Sequence, residues 1–140
     1  MENEKLIRAA MEARRQAYVP YSNYRVGAAL LTQDGEIIKG CNVENASYGA
    51  TNCAERTAFF KAVSEGKKKF AAIAIVGGAE QTNETGGFAY PCGVCRQVMR
   101  EFCNPDSFRV IVAKSETDYE EYTLAKLLPK SFGPEHLNME

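Results

Sequence analysis

Apolar positions recur with a helical period at the start of the chain: Leu6, Ile7, Ala10, Met11 and Ala17, with the stem of Arg14, fall on one side. Pro20 ends this predicted helix, and residues 18–23 form a turn-rich connector. Residues 26–32 and 36–41 read as two strands joined by the tight hairpin Gln33-Asp34-Gly35. Asn52 is placed to cap a helix running to about Gly66, whose Ala54, Ala58, Ala62 and Val63 make a small-residue face for close packing on a sheet. A buried strand follows at 70–76, then a long irregular loop at 77–90. A second helix spans Gly93–Phe102, a strand Arg109–Ala113 and a short helix 124–128. Helices interleaved with strands predict a layered α/β sandwich, and no repeat, low-complexity tract or linker divides it. The chain reads as a single domain over residues 1–140.

Of the 140 residues, 45% are hydrophobic and 25% charged, enough to support a core without disulfide staples. Seventeen basic against 18 acidic side chains give a formal net charge of -1, which removes the electrostatic reason to expect a partner in duplex nucleic acid or a membrane surface. Lys67-Lys68-Lys69 reads as a solvated turn. The longest apolar runs, such as residues 71–76, fall far short of the roughly 20 residues that span a bilayer. The amino terminus lacks the basic-then-apolar order of a secretory signal, so the expected location is the cytoplasm, where thiols stay reduced.

Five cysteines, an odd number with one tight pair, fit a disulfide framework poorly and a metal site better. Cys53-Ala54-Glu55 opens one predicted helix and Pro91-Cys92-Gly93-Val94-Cys95 the other. Residues three apart share a helical face, so Cys92 and Cys95 can grip one ion and Cys53 can supply a third thiolate. Three protein ligands leave a fourth position for water, the arrangement of a catalytic rather than a structural zinc. A fourth ligand would have to be Cys41, Cys103, the single histidine His136 or a carboxylate. Cys41 and Cys103 read better as small core residues, and His136 lies near the carboxyl end. Glu55 could be a ligand, but two residues after Cys53 it suits a proton carrier beside the metal. Helix starts favour thiolates through their free amides and dipole. Three thiolates over-neutralise a divalent cation, and Arg56 and Arg96 could donate to the sulfurs; either could instead be a solvent-exposed helix residue.

These motifs resemble the zinc nucleoside and nucleobase deaminases, and within them the short, homotetrameric, three-cysteine cytidine deaminases. The resemblance extends over nearly the whole chain, through Val19-Pro20-Tyr21-Ser22, Val26-Gly27-Ala28-Ala29-Leu30, the run from Gly40-Cys41-Asn42-Val43-Glu44 to Asn45-Ala46-Ser47-Tyr48, and Leu127-Leu128-Pro129. It implies a three-layer α/β/α sandwich around a mixed sheet of about five strands. It implies one zinc per chain on Cys53, Cys92 and Cys95, proton shuttling by Glu55, ribose 3′-hydroxyl binding by Asn42 and Glu44, and contact between the Ala54 amide and the pyrimidine carbonyl. Tyr24 stands where the family usually carries Phe beside the base, and the 77–90 loop is longer than usual. Tyr48 and Phe132 match aromatics at subunit boundaries of a homotetramer with shared active sites. The implied reaction is hydrolytic deamination of cytidine and deoxycytidine to uridine and deoxyuridine.

Three other classes are compatible with parts of the pattern. A deaminase of the same fold could act on another nucleoside, an antibiotic nucleoside, a nucleotide or a tRNA base; phosphate recognition would bring more basic residues to the pocket. A structural zinc module would need a fourth protein ligand and no Glu55. A thiol redox protein built on Cys92 and Cys95 would leave Cys53 and Glu55 unexplained.

Overall fold

The computed structural model of the chain describes residues 2–79 and 87–137. Leu6, Ile7, Ala10 and Ala13 are the buried stripe of α1, Glu2–Arg14. This helix stops well before Pro20, because the Arg15, Gln16 and Ala17 amides fall back on carbonyls three residues earlier. Nη1 of Arg25 meanwhile takes the Arg15 and Ala17 carbonyls at 3.0 and 2.8 Å, so they are committed to a side chain rather than to another turn. The hairpin forms as expected from β1, Tyr24–Thr32, and β2, Ile37–Cys41, with Gly35 supplying the left-handed backbone of the turn at φ 94°.

Helix α2 runs Ala54–Ser64, and its cap is Cys53 rather than Asn52. Asn52 exchanges both backbone hydrogen bonds with Val43, at 2.9 and 3.0 Å, which holds it extended, and its side-chain amide donates to the Thr57 hydroxyl at 3.2 Å. Strand β3, Phe70–Ala79, is longer than its apolar run because Gly77, Gly78 and Ala79 continue pairing with Val26, Arg25 and Tyr24. Of the expected 77–90 loop, residues 80–86 lie outside the described residues. Helix α3, Gly93–Phe102, and strand β4, Arg109–Ala113, keep the expected bounds. A strand not anticipated from the sequence, β5, Tyr119–Thr123, follows, and α4 covers Leu124–Leu127. Short 3-10 turns stand at Tyr48–Ala50 and Pro134–Leu137.

The five strands form one sheet in the order β2-β1-β3-β4-β5, antiparallel throughout except for the β3/β4 pair. Alternation along the strands divides the core. Ala29, Leu31, Ala72, Ala74, Val76 and Ile111 pack under α1, while Ala28, Leu30, Ile73, Ile75, Val110 and Val112 face α2 and α3. The result is the expected three-layer α/β/α sandwich. Two glycines let the layers close tightly: a Cβ on Gly27 would lie 2.0 Å from the Ala10 carbonyl oxygen, and one on Gly40 2.6 Å from the Ala54 carbonyl oxygen. No helix of the described residues is long and apolar enough to cross a membrane.

Because α2 leads into β3 and α3 bridges the parallel strands β3 and β4, both helices run back against the sheet. Their first turns therefore lie together beyond the carboxyl ends of β3 and β4, where open α/β sheets place their ligands.

Candidate active site

Each helix start presents a cysteine at its cap. Cys53 caps α2 and Cys92 caps α3, both with extended backbone, and the Cys95 amide donates to Cys92 Sγ at 3.4 Å. Cys53 Sγ lies 3.9 Å from Cys92 Sγ, and the Sγ atoms of Cys53, Cys92 and Cys95 all fall within 4.8 Å of one another. Sulfurs bound to one tetrahedral zinc at ~2.3 Å would stand ~3.8 Å apart, so this set fits that ion. Among the described residues these three cysteines are the one such cluster, with no fourth ligand. Cys103 is buried and Cys41 half-buried, with burial pushing both thiols up, and neither joins the group. His136 is occupied in the tail, its Nδ1 taking the Gly133 amide at 2.9 Å.

The charge on the sulfurs has visible support. The Cys53 thiol is lowered to about 5, first by a hydrogen bond from the Cys95 thiol and then by the Arg56 guanidinium, whose Nη2 donates to Cys53 Sγ at 3.2 Å. Contact with that sulfur raises Arg56 in turn, and its buried Nε has no partner among the described residues. Cys95, which donates to Cys53 and is buried, is pushed up. Arg96 does not share this role. Its Nε and Nη1 hold the carbonyls of Pro91 and Leu127 at 2.8 and 2.6 Å, so it braces the approach to α3 instead of the sulfurs.

Glu55 is 5% exposed, in the first turn of α2, and its carboxyl is raised to about 7, mainly by burial and further by the Cys53 thiolate. It opens onto a cleft of about 220 Å³ that it shares with Cys53, Cys92, Ala54, Tyr24 and Asn42. Val26, Ile75, Ala89 and Tyr90 complete the walls. The cleft thus combines an apolar slot, a thiol cluster and a carboxyl able to hold or release a proton near neutrality.

The remaining expected residues are distributed around this cleft. Asn42 clamps its wall, taking the Val26 amide and donating to the Tyr24 carbonyl, both at 2.9 Å. Tyr24 is fitted over Gly77, where a Cβ would lie 2.7 Å from its hydroxyl. Glu44 lies in a neighbouring hollow with Tyr21, Ser22, Tyr48 and Thr51. Its carboxylate accepts from the Tyr21 and Ser22 amides at 3.1 Å each and from the Ser22 hydroxyl, which holds it below the usual carboxylate range. Tyr48 is 75% exposed and meets Tyr21 edge-on at 6.0 Å. Phe132 is 56% exposed, stacked on His136 at 5.4 Å, and lines no part of the cleft in its own chain. Ala89 and Tyr90, the end of the expected 77–90 loop directly before Pro91-Cys92, enter the walls of the cleft.

Residues 1–112 match the sequence profile described as the cytidine and deoxycytidylate deaminase zinc-binding region. The chain belongs to the cytidine and deoxycytidylate deaminase family. It is 54% identical over 138 residues to a cytidine deaminase of Sporosarcina psychrophila, covering 99% of this chain and 96% of that one. A cytidine deaminase of Halalkalibacterium halodurans is 49% identical over 138 residues, with 99% of each chain covered. The crystal structure of the cytidine deaminase from Burkholderia pseudomallei superposes with a TM-score of 0.84 at 50% identity, covering 94% of this chain and all of that one. In this family the matched region is zinc-binding, and the three-cysteine cluster is compatible with one zinc ion.

Proposed function

We propose that this deaminase hydrolyses cytidine and deoxycytidine to uridine and deoxyuridine, releasing ammonia, with one zinc per chain held by Cys53, Cys92 and Cys95. The observation that carries the reading is the shared cleft: a buried carboxyl raised to about 7 opens beside three thiols in a chain 54% identical to a cytidine deaminase. A purely structural zinc would call for a fourth ligand, and the described residues provide none.

When bound, zinc supplies a Lewis acid that lowers the pKa of water towards neutrality. Glu55 takes a proton from the attacking water and hands it to the ring nitrogen beside carbon 4, making the carbon electrophilic as the oxygen adds. The same carboxyl then takes the remaining proton from the added oxygen and delivers it to the amino group, which leaves as ammonia as the carbonyl forms; cytidine and water have become uridine and ammonia. A carboxyl near 7 can perform both transfers, because neither of its forms is strongly preferred at neutral pH. Arg56 offsets the negative charge of the thiolates. The Ala54 amide, at the first turn of α2 where helix geometry gives it no intrahelical acceptor, suits the pyrimidine carbonyl, with Tyr24 as the wall beside the base. Asn42 and the ionised Glu44 suit the ribose 3′-hydroxyl, where a carboxylate makes a charge-assisted bond.

Ultraviolet monitoring of the purified protein tests this reading. Absorbance should fall with cytidine and deoxycytidine, uridine and deoxyuridine should appear, and CMP and adenosine should stay unchanged. Intact cytidine after incubation with zinc-replete protein would overturn it.

We also read the chain as one domain working in the cytoplasm as a homotetramer. The five free cysteines support a reducing compartment. The exposed aromatic rings of Tyr48 and Phe132 support subunit boundaries that close the active sites. Mixing inactive Glu55→Gln subunits with inactive Phe132→Ala subunits should restore partial activity, since a hybrid site can draw an intact residue from each. No recovery in hybrids of demonstrated mixed composition would refute shared sites.

A further inference from the structure

Residues 88–92 form the wall of the cleft that leads into α3, and they have little backbone support. Among the described residues, no backbone hydrogen bond joins Phe88, Ala89 or Tyr90 to the sheet. Cys92 is better secured, because Arg96 grips the preceding Pro91 carbonyl and the Cys95 amide donates to the Cys92 sulfur. Phe88 and Ala89 pack against the core, and the exposed Tyr90 must be held by something else.

Among the described residues, Tyr90 is tied to edge strand β5. The Tyr90 hydroxyl donates to Oε1 of Glu120 at 2.7 Å, and the Tyr122 hydroxyl donates to the same oxygen at 2.7 Å. Two phenols on one carboxylate hold Glu120 below the usual carboxylate range, Tyr90 first and Tyr122 second. Ring contacts reinforce the tie: Tyr90 lies 6.5 Å from Tyr122 and 6.2 Å from Phe88, and Lys114 sits 4.7 Å over the Phe88 ring. Glu120 lies outside the cleft, yet its partner Tyr90 lines it.

We propose that Glu120 is a positioning residue of the deaminase site, holding the Ala89–Tyr90 wall through the Tyr90 hydroxyl. The proposal rests on the cytidine-deaminating reading for its kinetic consequence, but not for its structural one. Since the zinc-side residue Cys92 has ties of its own, loosening this wall weakens substrate binding more than turnover. Charge-assisted hydrogen bonds have geometry strict enough for one lost acceptor to free a segment that carries no ladder bonds.

The test compares zinc-loaded, full-length Glu120→Ala, Glu120→Gln and Tyr90→Phe with the parent protein. In Glu120→Ala, NMR order parameters of the Ala89 and Tyr90 backbone amides should fall from the rigid range, about 0.85, to below about 0.6, with β1 and α2 unchanged. KM for cytidine should rise about 5–20-fold while kcat stays within about twofold, the signature of lost uniform binding. Glu120→Gln keeps an acceptor oxygen and should recover most of both effects. Adding Tyr90→Phe to Glu120→Ala should cost little more than Glu120→Ala alone, because both remove the same contact. Unchanged order parameters at Ala89 and Tyr90 in Glu120→Ala, or lowered ones with an unchanged KM, would overturn the proposal. A parent protein inert towards cytidine would instead strike at the proposed function, and the order parameters would still decide whether Glu120 holds the wall.

Discussion

Glu55→Gln should leave a folded, zinc-replete protein whose turnover of cytidine falls by about 10²–10⁴-fold, the range of general acid–base catalysis. That loss corresponds to about 3–5 kcal/mol of transition-state stabilisation. The amide has the carboxyl's shape and fits the same buried position in the first turn of α2, but it cannot carry a proton between water and the ring. Burial opposes the ionised form of Glu55, so a neutral replacement removes no favourable charge burial from the fold. Steady-state kinetics beside metal analysis makes the measurement; near-normal turnover with full zinc would mean that another group moves the protons.

Removing a thiol should have an effect of equal size by a different route. Cys53→Ala, Cys92→Ala and Cys95→Ala should each lose most of the bound zinc and with it measurable deamination, because no other ligand stands within reach among the described residues. Cys41→Ala and Cys103→Ala should retain both, since those sulfurs lie outside the cluster. Elemental analysis of dialysed protein reads the outcome. Full occupancy after loss of two of the three clustered thiols would refute the assignment.

The site was legible in the sequence where chemistry imposes spacing. Cys92 and Cys95 must share a helical face, and the start of α3 after Pro91 is where they do. Less legible was whatever depends on a distant partner. Asn52 has the residue type of a helix cap, but its pairing with Val43 hands the cap to Cys53. Arg96 and Arg56 follow similar positions beside cysteines; only the carbonyls of Pro91 and Leu127 explain why one arginine turns from the sulfurs. Strand β5 was missed because Tyr-Glu-Glu-Tyr-Thr carries no aliphatic face. Its position at the sheet edge leaves it partly exposed on both sides, and its tyrosines supply the contacts that an aliphatic strand would make with valine. The short reach of α1 likewise depends on Arg25, a residue from the following strand.

The close seat of α2 on Gly40 ties the evolution of the core to that of the metal. An added methyl at residue 40 would meet α2 backbone at 2.6 Å from both the Ala54 carbonyl oxygen and the Ala58 amide, so the helix would have to rise by most of an ångström. Ala54 directly follows Cys53, and metal–ligand distances tolerate only about 0.2 Å. Sequence drift at residue 40 would therefore be selected against through metal affinity before packing failed, and a lineage that kept the fold could lose the chemistry by gaining a single carbon atom between strand and helix.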